Sequence, residues 1–191
     1  SKRPIALAAM HNGNRVIHCG SFSKTIAPAL RVGYLVADWH LLSQILAVKN
    51  DSGTGALEQM MLAEYCVNHF DDHVNKLSST LKDKLETLVE AVKVYFGTSA
   101  EFEVPEGGIF LWVSLPEHVD TIRLSQLAAK EGIAINPGPE WSTDTKPASS
   151  KLRLCFGHPT KKIIEEGVSK LAEICHQEFG VPLRGANRVR S

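Results

Sequence analysis

The chain has 191 residues, 43% of them hydrophobic, and its 21 Lys and Arg balance its 21 Asp and Glu for a formal net charge of zero. That apolar content excludes disorder over most of the length, and the even charge balance gives no global attraction to nucleic acid or to an anionic membrane. No apolar run reaches the roughly 18 residues of a membrane span and no secretory signal opens the chain, so a cytoplasmic setting without a membrane partner is expected.

Taken in order, the chain starts at Ser1 and passes through "SKRPIALAAMHNGNR" almost directly into a strand-like run. So abrupt a start reads as a truncated or proteolysed piece of a larger protein. After the turn signal Asn12-Gly13, "RVIHC" (15–19) predicts a strand, and "RVGYLVA" (31–37) a second one, apolar enough to be buried on both faces. Asp38 is placed to cap a helix through "WHLLSQILAVKN". A helix is predicted over about 56–68. A long amphipathic one follows, with Val74, Leu77, Leu81, Leu85, Leu88 and Val92 on its stripe and Lys76, Lys82, Asp83, Glu86 and Glu90 largely off it.

Beyond Gly97 the pattern changes. "EFEVPEGGIFLWVSL" predicts two strands broken at Pro105–Gly108, followed by a helix near 121–131 and a strand at "GIAIN". "PGPEWSTDTKPASS" reads as a loop, "KLRLCF" as a strand, and 160–179 as a closing helix with Ile164, Val168, Leu171 and Cys175 on one face. The aperiodic tail 181–191 is expected to be mobile. Cys19, Cys66, Cys155 and Cys175 have no CxxC-type spacing and stand among apolar residues, so reduced core thiols are expected, not a disulfide framework or zinc site.

The chemistry concentrates in "HCGSFSKTIAPALRVGYLVA" (18–37). A lysine amine becomes a nucleophile toward a carbonyl when desolvation or a neighbouring cation lowers its pKa. Lys24 lies between two apolar runs, with Arg31 seven residues on and the hydroxyls of Ser21, Ser23 and Thr25 around it. Hydroxyls and a guanidinium together suit a phosphate, so an aldehyde cofactor carrying a phosphate would use this combination. A solvated lysine in a serine-containing loop is the plainer alternative. His69 and His73, four apart on a predicted helix, have no third metal ligand nearby and read as solvated or capping histidines. Phe110 and Trp112 alternate with Ile109, Leu111 and Val113 and read as sheet packing, Gly107-Gly108 as a turn, and Trp141 as a residue of the Pro/Gly loop.

The string "GSFSKTIAPALRVGYLVA" closely resembles the cofactor-lysine segment of the class I/II (fold-type-I) aminotransferases, which depend on pyridoxal 5′-phosphate (PLP). It is most similar to the 2-aminoadipate/kynurenine aminotransferase-like branch, and the same segment occurs in the aminotransferase-like domain of MocR/GntR-type regulators. The resemblance continues through "ALEQMMLAEYCVNHFDDHV", "PEGGIFLWVSLP", "GIAINPGPEW" and "LRLCFGHP", covering nearly all of 13–179. It implies an α/β fold: the end of the PLP-transferase large-domain sheet (1–55), an α+β small domain (56–180) and a tail (181–191). Lys24 resembles the lysine that forms the internal aldimine and moves the proton. Ser21, and more weakly Ser23, resemble the phosphate-binding serine, Arg31 the phosphate-binding arginine, and Arg153 in "LRLCF" the arginine that grips the substrate carboxylate.

In this family the acid that partners the pyridine nitrogen precedes the lysine by a long stretch. The 23 residues before Lys24 contain no Asp or Glu. The chain is therefore expected to be the C-terminal part of an aminotransferase that moves an amino group between an amino acid and a 2-oxo acid, inactive alone and homodimeric at full length. The alternatives are the effector-sensing domain of a MocR/GntR-type regulator, which meets nucleic acid only through an upstream winged-helix module, and a degenerate domain kept for dimerisation.

Overall fold

The computed structural model describes residues 5–10 and 15–183, so the Asn12-Gly13 turn signal and the tail beyond 183 lie outside the described residues. The chain forms two compact units, 1–77 and 78–191. The expected domain division at 55/56 coincides with the start of a helix. The boundary between the two compact units falls inside that helix, whose His73 bonds to the loop that carries Lys24.

In the first unit a short helix α1 (Leu7–Met10) precedes strand β1 (His18–Ser21), a 3-10 turn (Pro28–Leu30) and strand β2 (Gly33–Val36). The two strands pair antiparallel, His18 opposite Val36 and Ser21 opposite Gly33. The Tyr34 ring lies across the ribbon between His18 and Phe22, with centroids 5.9 and 5.4 Å away. A side chain at Gly20 would occupy the same space, its Cβ falling 2.1 Å from a Tyr34 ring atom. Helix α2 (Trp39–Val48) follows, capped as expected by Asp38, whose carboxylate accepts from the His40 amide at 2.9 Å.

The expectation that "RVGYLVA" is buried on both faces does not hold. All four residues of β2 are exposed, because a ribbon of two strands cannot cover either of its own faces. Only Val32, just before the strand, is buried.

Helix α3 (Ala56–Tyr95) is one continuous helix of 40 residues where two were expected. No Gly or Pro interrupts "VNHFDDHV", so propagation costs nothing that would stop it. Its second half enters the second unit and buries Leu85, Leu88, Val89 and Val92.

That unit is built on an antiparallel sheet in the order β3–β5–β4, with β3 (Phe110–Ser114), β4 (Asn136–Pro137) and β5 (Lys151–Cys155). Helix α4 (Thr121–Lys130) is capped by Asp120, and helix α6 (Lys161–Phe179) by Thr160. A 3-10 turn (Gly138–Trp141) and a short helix α5 (Thr145–Ala148) occupy the expected loop. The strand expected before Pro105 shrinks to one bridge, Glu101 opposite Ser114, and "GIAIN" to its last residue plus Pro137, which has no amide to continue a ladder.

The period of two decides the sheet's faces. Leu111, Val113, Leu152 and Leu154 turn inward onto Leu124 and Ala128 of α4 and Ile164, Val168, Leu171 and Cys175 of α6. Phe110, Trp112 and Arg153 fall on the opposite face. The chain after α6 is less free than expected: Gly180 ends the helix at φ 70°, and Val181 is buried in the core. Among the cysteines only Cys175 is a core thiol; Cys19 and Cys155 are exposed and Cys66 is half-buried. β-strand alternation accounts for Cys155, which follows inward-facing Leu154 and so turns outward.

Candidate active site

Ser21, at the end of β1, and Ser23, Lys24 and Arg31, on the loop that joins β1 to β2, lie on one continuous segment. The Phe22 amide donates to the Val32 carbonyl at 3.1 Å, which brings the two ends of the loop side by side. Past that closure the chain makes a tight turn, with the Ile26 and Ala27 amides both donating to the Phe22 carbonyl at 2.8 and 3.2 Å. Lys24 projects from this turn and is exposed. The Ser23 amide donates to Ser21 Oγ at 3.1 Å, which leaves the Ser21 hydroxyl hydrogen to serve an external acceptor.

Arg31 stands out in its backbone. It adopts the left-handed conformation at φ 53°, alone among the described non-glycine residues, and its Nη1 donates to the Pro28 carbonyl at 3.2 Å. A non-glycine residue held there costs on the order of 1 kcal/mol or more, and such outliers collect at ligand-binding sites. From His18 to Val36 the sequence carries no Asp or Glu. The loop therefore offers an amine, hydroxyls and a guanidinium with no internal carboxylate to neutralise them. That donor set fits an aldehyde cofactor bearing a phosphate.

Arg153 belongs to the second unit. In register it stands between Trp112 on β3 and Asn136 on β4. Its guanidinium is bracketed by two rings, 3.8 Å from the Phe110 centroid and 3.3 Å from that of Trp141. Nη2 donates to Asn136 Oδ1 at 3.3 Å, while Nε is buried without a partner. Among the described residues no acidic side chain forms an ion pair with Arg153. The stacking fixes the fork and leaves its charge for an anion from outside.

Trp141 reaches Arg153 because the 3-10 turn lies close against the chain leading into β5. A Cβ on Gly138 would sit 2.4 Å from the Ala148 carbonyl oxygen and 2.6 Å from that of Lys151. Sequence reading treats Phe110 as sheet packing and Trp141 as a loop residue that could line the pocket, and it leaves the partner Asn136 unnoticed. The signal was available for Phe110, which shares a strand face with Arg153 once the alternation of β3 and β5 is written out.

Among the described residues no group of three or more His, Cys, Asp or Glu suited to a metal gathers at His69 and His73. His73 Nε2 instead meets the Thr25 carbonyl at 2.8 Å.

A fold of this kind, with a lysine loop on one unit and a bracketed arginine on the other, has close counterparts. The multiple substrate aminotransferase of Thermococcus profundus superposes with a TM-score of 0.82 at 31% identity, covering 90% of this chain and 43% of that one. Aromatic-amino-acid aminotransferase 1 of Thermococcus litoralis is 29% identical over 176 residues, 91% of this chain and 42% of that protein. The HTH-type transcriptional regulator NorG of Staphylococcus aureus is 36% identical over 161 residues, 82% of this chain and 36% of NorG. The family model "Aminotransferase class I and II" matches residues 2–171. The chain belongs to that family, whose cofactor is PLP, and it spans less than half the length of these relatives.

Proposed function

We propose that the chain supplies the lysine, phosphate-binding and carboxylate-binding side of a PLP-dependent aminotransferase site, which moves an amino group between an amino acid and a 2-oxo acid. The observation that carries this reading is the Lys24 segment, where an exposed amine, Ser21, Ser23 and the strained Arg31 stand within eleven residues free of acids.

In this reading residues 1–55 are the end of the cofactor-binding large domain and 56–180 the small domain. Bound PLP would supply an electron sink for the substrate Cα. Lys24 holds the cofactor through Nζ and then carries the proton lost from the substrate Cα. Ser21 and Ser23 donate hydrogen bonds to the phosphate, and Arg31 balances its charge. Arg153 takes the substrate carboxylate in its planar fork, which aligns the Cα–H bond for removal. The same reading makes the full-length protein a cytoplasmic homodimer.

A second reading is favoured by the 36% identity to NorG: an effector-sensing domain that uses the same lysine chemistry for recognition. Nucleic acid becomes a partner there only through a winged-helix module.

The test is Lys24→Ala in the protein that carries this chain. Loss of the visible absorbance of bound PLP with an unchanged far-ultraviolet circular dichroism spectrum is expected. A normal cofactor spectrum in that variant removes Lys24 from its role. Stereospecific amino transfer by the wild-type protein separates the enzyme from the sensor.

A further inference from the structure

We propose that His73 is a positioning residue for Lys24, an inference that rests on the cofactor-lysine reading and extends it to the long helix. The peptide group joining Thr25 to Ile26 is held at both ends. Its amide donates to the Phe22 carbonyl at 2.8 Å, and its carbonyl oxygen meets His73 Nε2 at 2.8 Å. A carbonyl oxygen can only accept, so Nε2 carries the proton. Nδ1 then meets the Tyr65 hydroxyl at 2.9 Å.

Tyr65 and His73 both project from the first half of α3. The two stand eight residues apart, about 12 Å of helix rise, so the contact needs the Tyr65 ring to reach forward along the helix as His73 leans back. The Tyr65 ring meets the His73 ring edge-on at 5.7 Å and also touches His69 at 5.4 Å. His73 is thus oriented by a hydroxyl at one nitrogen and spends the other on the residue after Lys24. It lies deep inside a 40-residue helix, far from either fraying end. The tight turn has no comparable rigidity of its own, since Lys24 is exposed and its two amide bonds converge on a single carbonyl. The Tyr65–His73–Thr25 chain therefore transmits the stiffness of α3 to the lysine backbone and narrows the directions in which Nζ can present itself.

The experiment compares the wild-type chain with His73→Phe and His73→Gln. Phenylalanine keeps the ring packing on Tyr65 and removes the donor. Glutamine places an Nε2–H donor the same number of bonds from Cα. Amide hydrogen exchange at Ile26 and Ala27 is expected to speed up about fivefold to tenfold in His73→Phe, the scale of one intramolecular hydrogen bond, and to return toward wild type in His73→Gln. Equal exchange in all three proteins overturns the inference, as does a nitrogen-15 spectrum showing the His73 proton on Nδ1.

A second readout uses PLP with borohydride trapping and peptide mapping. Trapping at Lys24 is expected to fall in His73→Phe and recover in His73→Gln. Unchanged trapping alongside faster exchange reduces His73 to a structural tether and overturns its role toward the lysine. Trapping at a lysine other than Lys24 in the wild type defeats the cofactor-lysine reading, and with it the assignment of His73 to that lysine, while the exchange data still report whether the tether exists.

Discussion

The two units of this chain are built to opposite economies of burial. The second closes its own core: one face of a three-stranded sheet packs on α3, α4 and α6, and Leu111, Leu124 and Cys175 are fully inaccessible. The first unit, among its described residues, buries only the hydrophobics Val32 and Leu62 while exposing Trp39, Val48, Met60, Met61 and Val67 at 56–81%. Yet the first unit carries the lysine loop and the strained Arg31. In the second unit, binding chemistry sits on the back of a self-sufficient core. In the first, it sits on a ribbon whose order comes from local hydrogen bonds and from α3.

The largest expected effect sharpens that contrast directly. Leu111→Ala empties a fully buried position and is expected to cost about 2–5 kcal/mol. Leu35→Ala, on the exposed ribbon, is expected to stay within about 0.5 kcal/mol. Denaturant midpoints of the two variants measure the difference, and comparable losses would break the comparison. Next, Arg153→Ala is expected to raise the Michaelis constant for the amino acid by about 30-fold or more, the scale of losing a charge-assisted fork, with far less effect on PLP binding. An equal loss of both would place Arg153 outside the substrate grip.

Trp141→Ala removes one bracket and leaves the charge. A rise of about fivefold in the same constant is expected, in line with a stacked cation–π contact of about 1 kcal/mol. The smallest effect concerns thiols. Burial pushes the Cys175 thiol from its ordinary 9.0 up to about 12. Its neutral form is therefore favoured by the fold, a contribution intact below about 9 and lost as pH rises toward 12. At neutral pH an alkylating reagent should label Cys19 and Cys155 and spare Cys175 until the chain unfolds.

Helical spacing made α2, α4 and α6 readable, together with the cap at Asp38, because each depends on residues within one or two turns; the caps at Asp120 and Thr160 emerge only in the structure. The stripe on α3 was equally plain, but the absence of any breaker between its halves was given too little weight. Short strands such as β4 were overextended, since their length is set by partners distant in sequence. Burial of "RVGYLVA" was inferred from composition, which reports what a strand is suited to and not what covers it. At the site, the residue types of Ser21, Ser23, Lys24 and Arg31 were visible in one string. The setting of Arg153 was not, because Phe110, Asn136 and Trp141 meet it from three separate segments. The tether of His73 to Thr25 spans a comparable gap, and a histidine on a helix face gives no hint of which carbonyl it will find.

Gly138 has no functional group, yet two carbonyl oxygens leave no room for a methyl at that position. Any library that varies the pocket for new substrates should hold it fixed. Alanine there would push the turn outward and carry the Trp141 indole off the guanidinium, so that affinity for the carboxylate would fall while every polar residue of the pocket remained intact. Screening would record such a clone as a loss of recognition, although the change lies in backbone clearance.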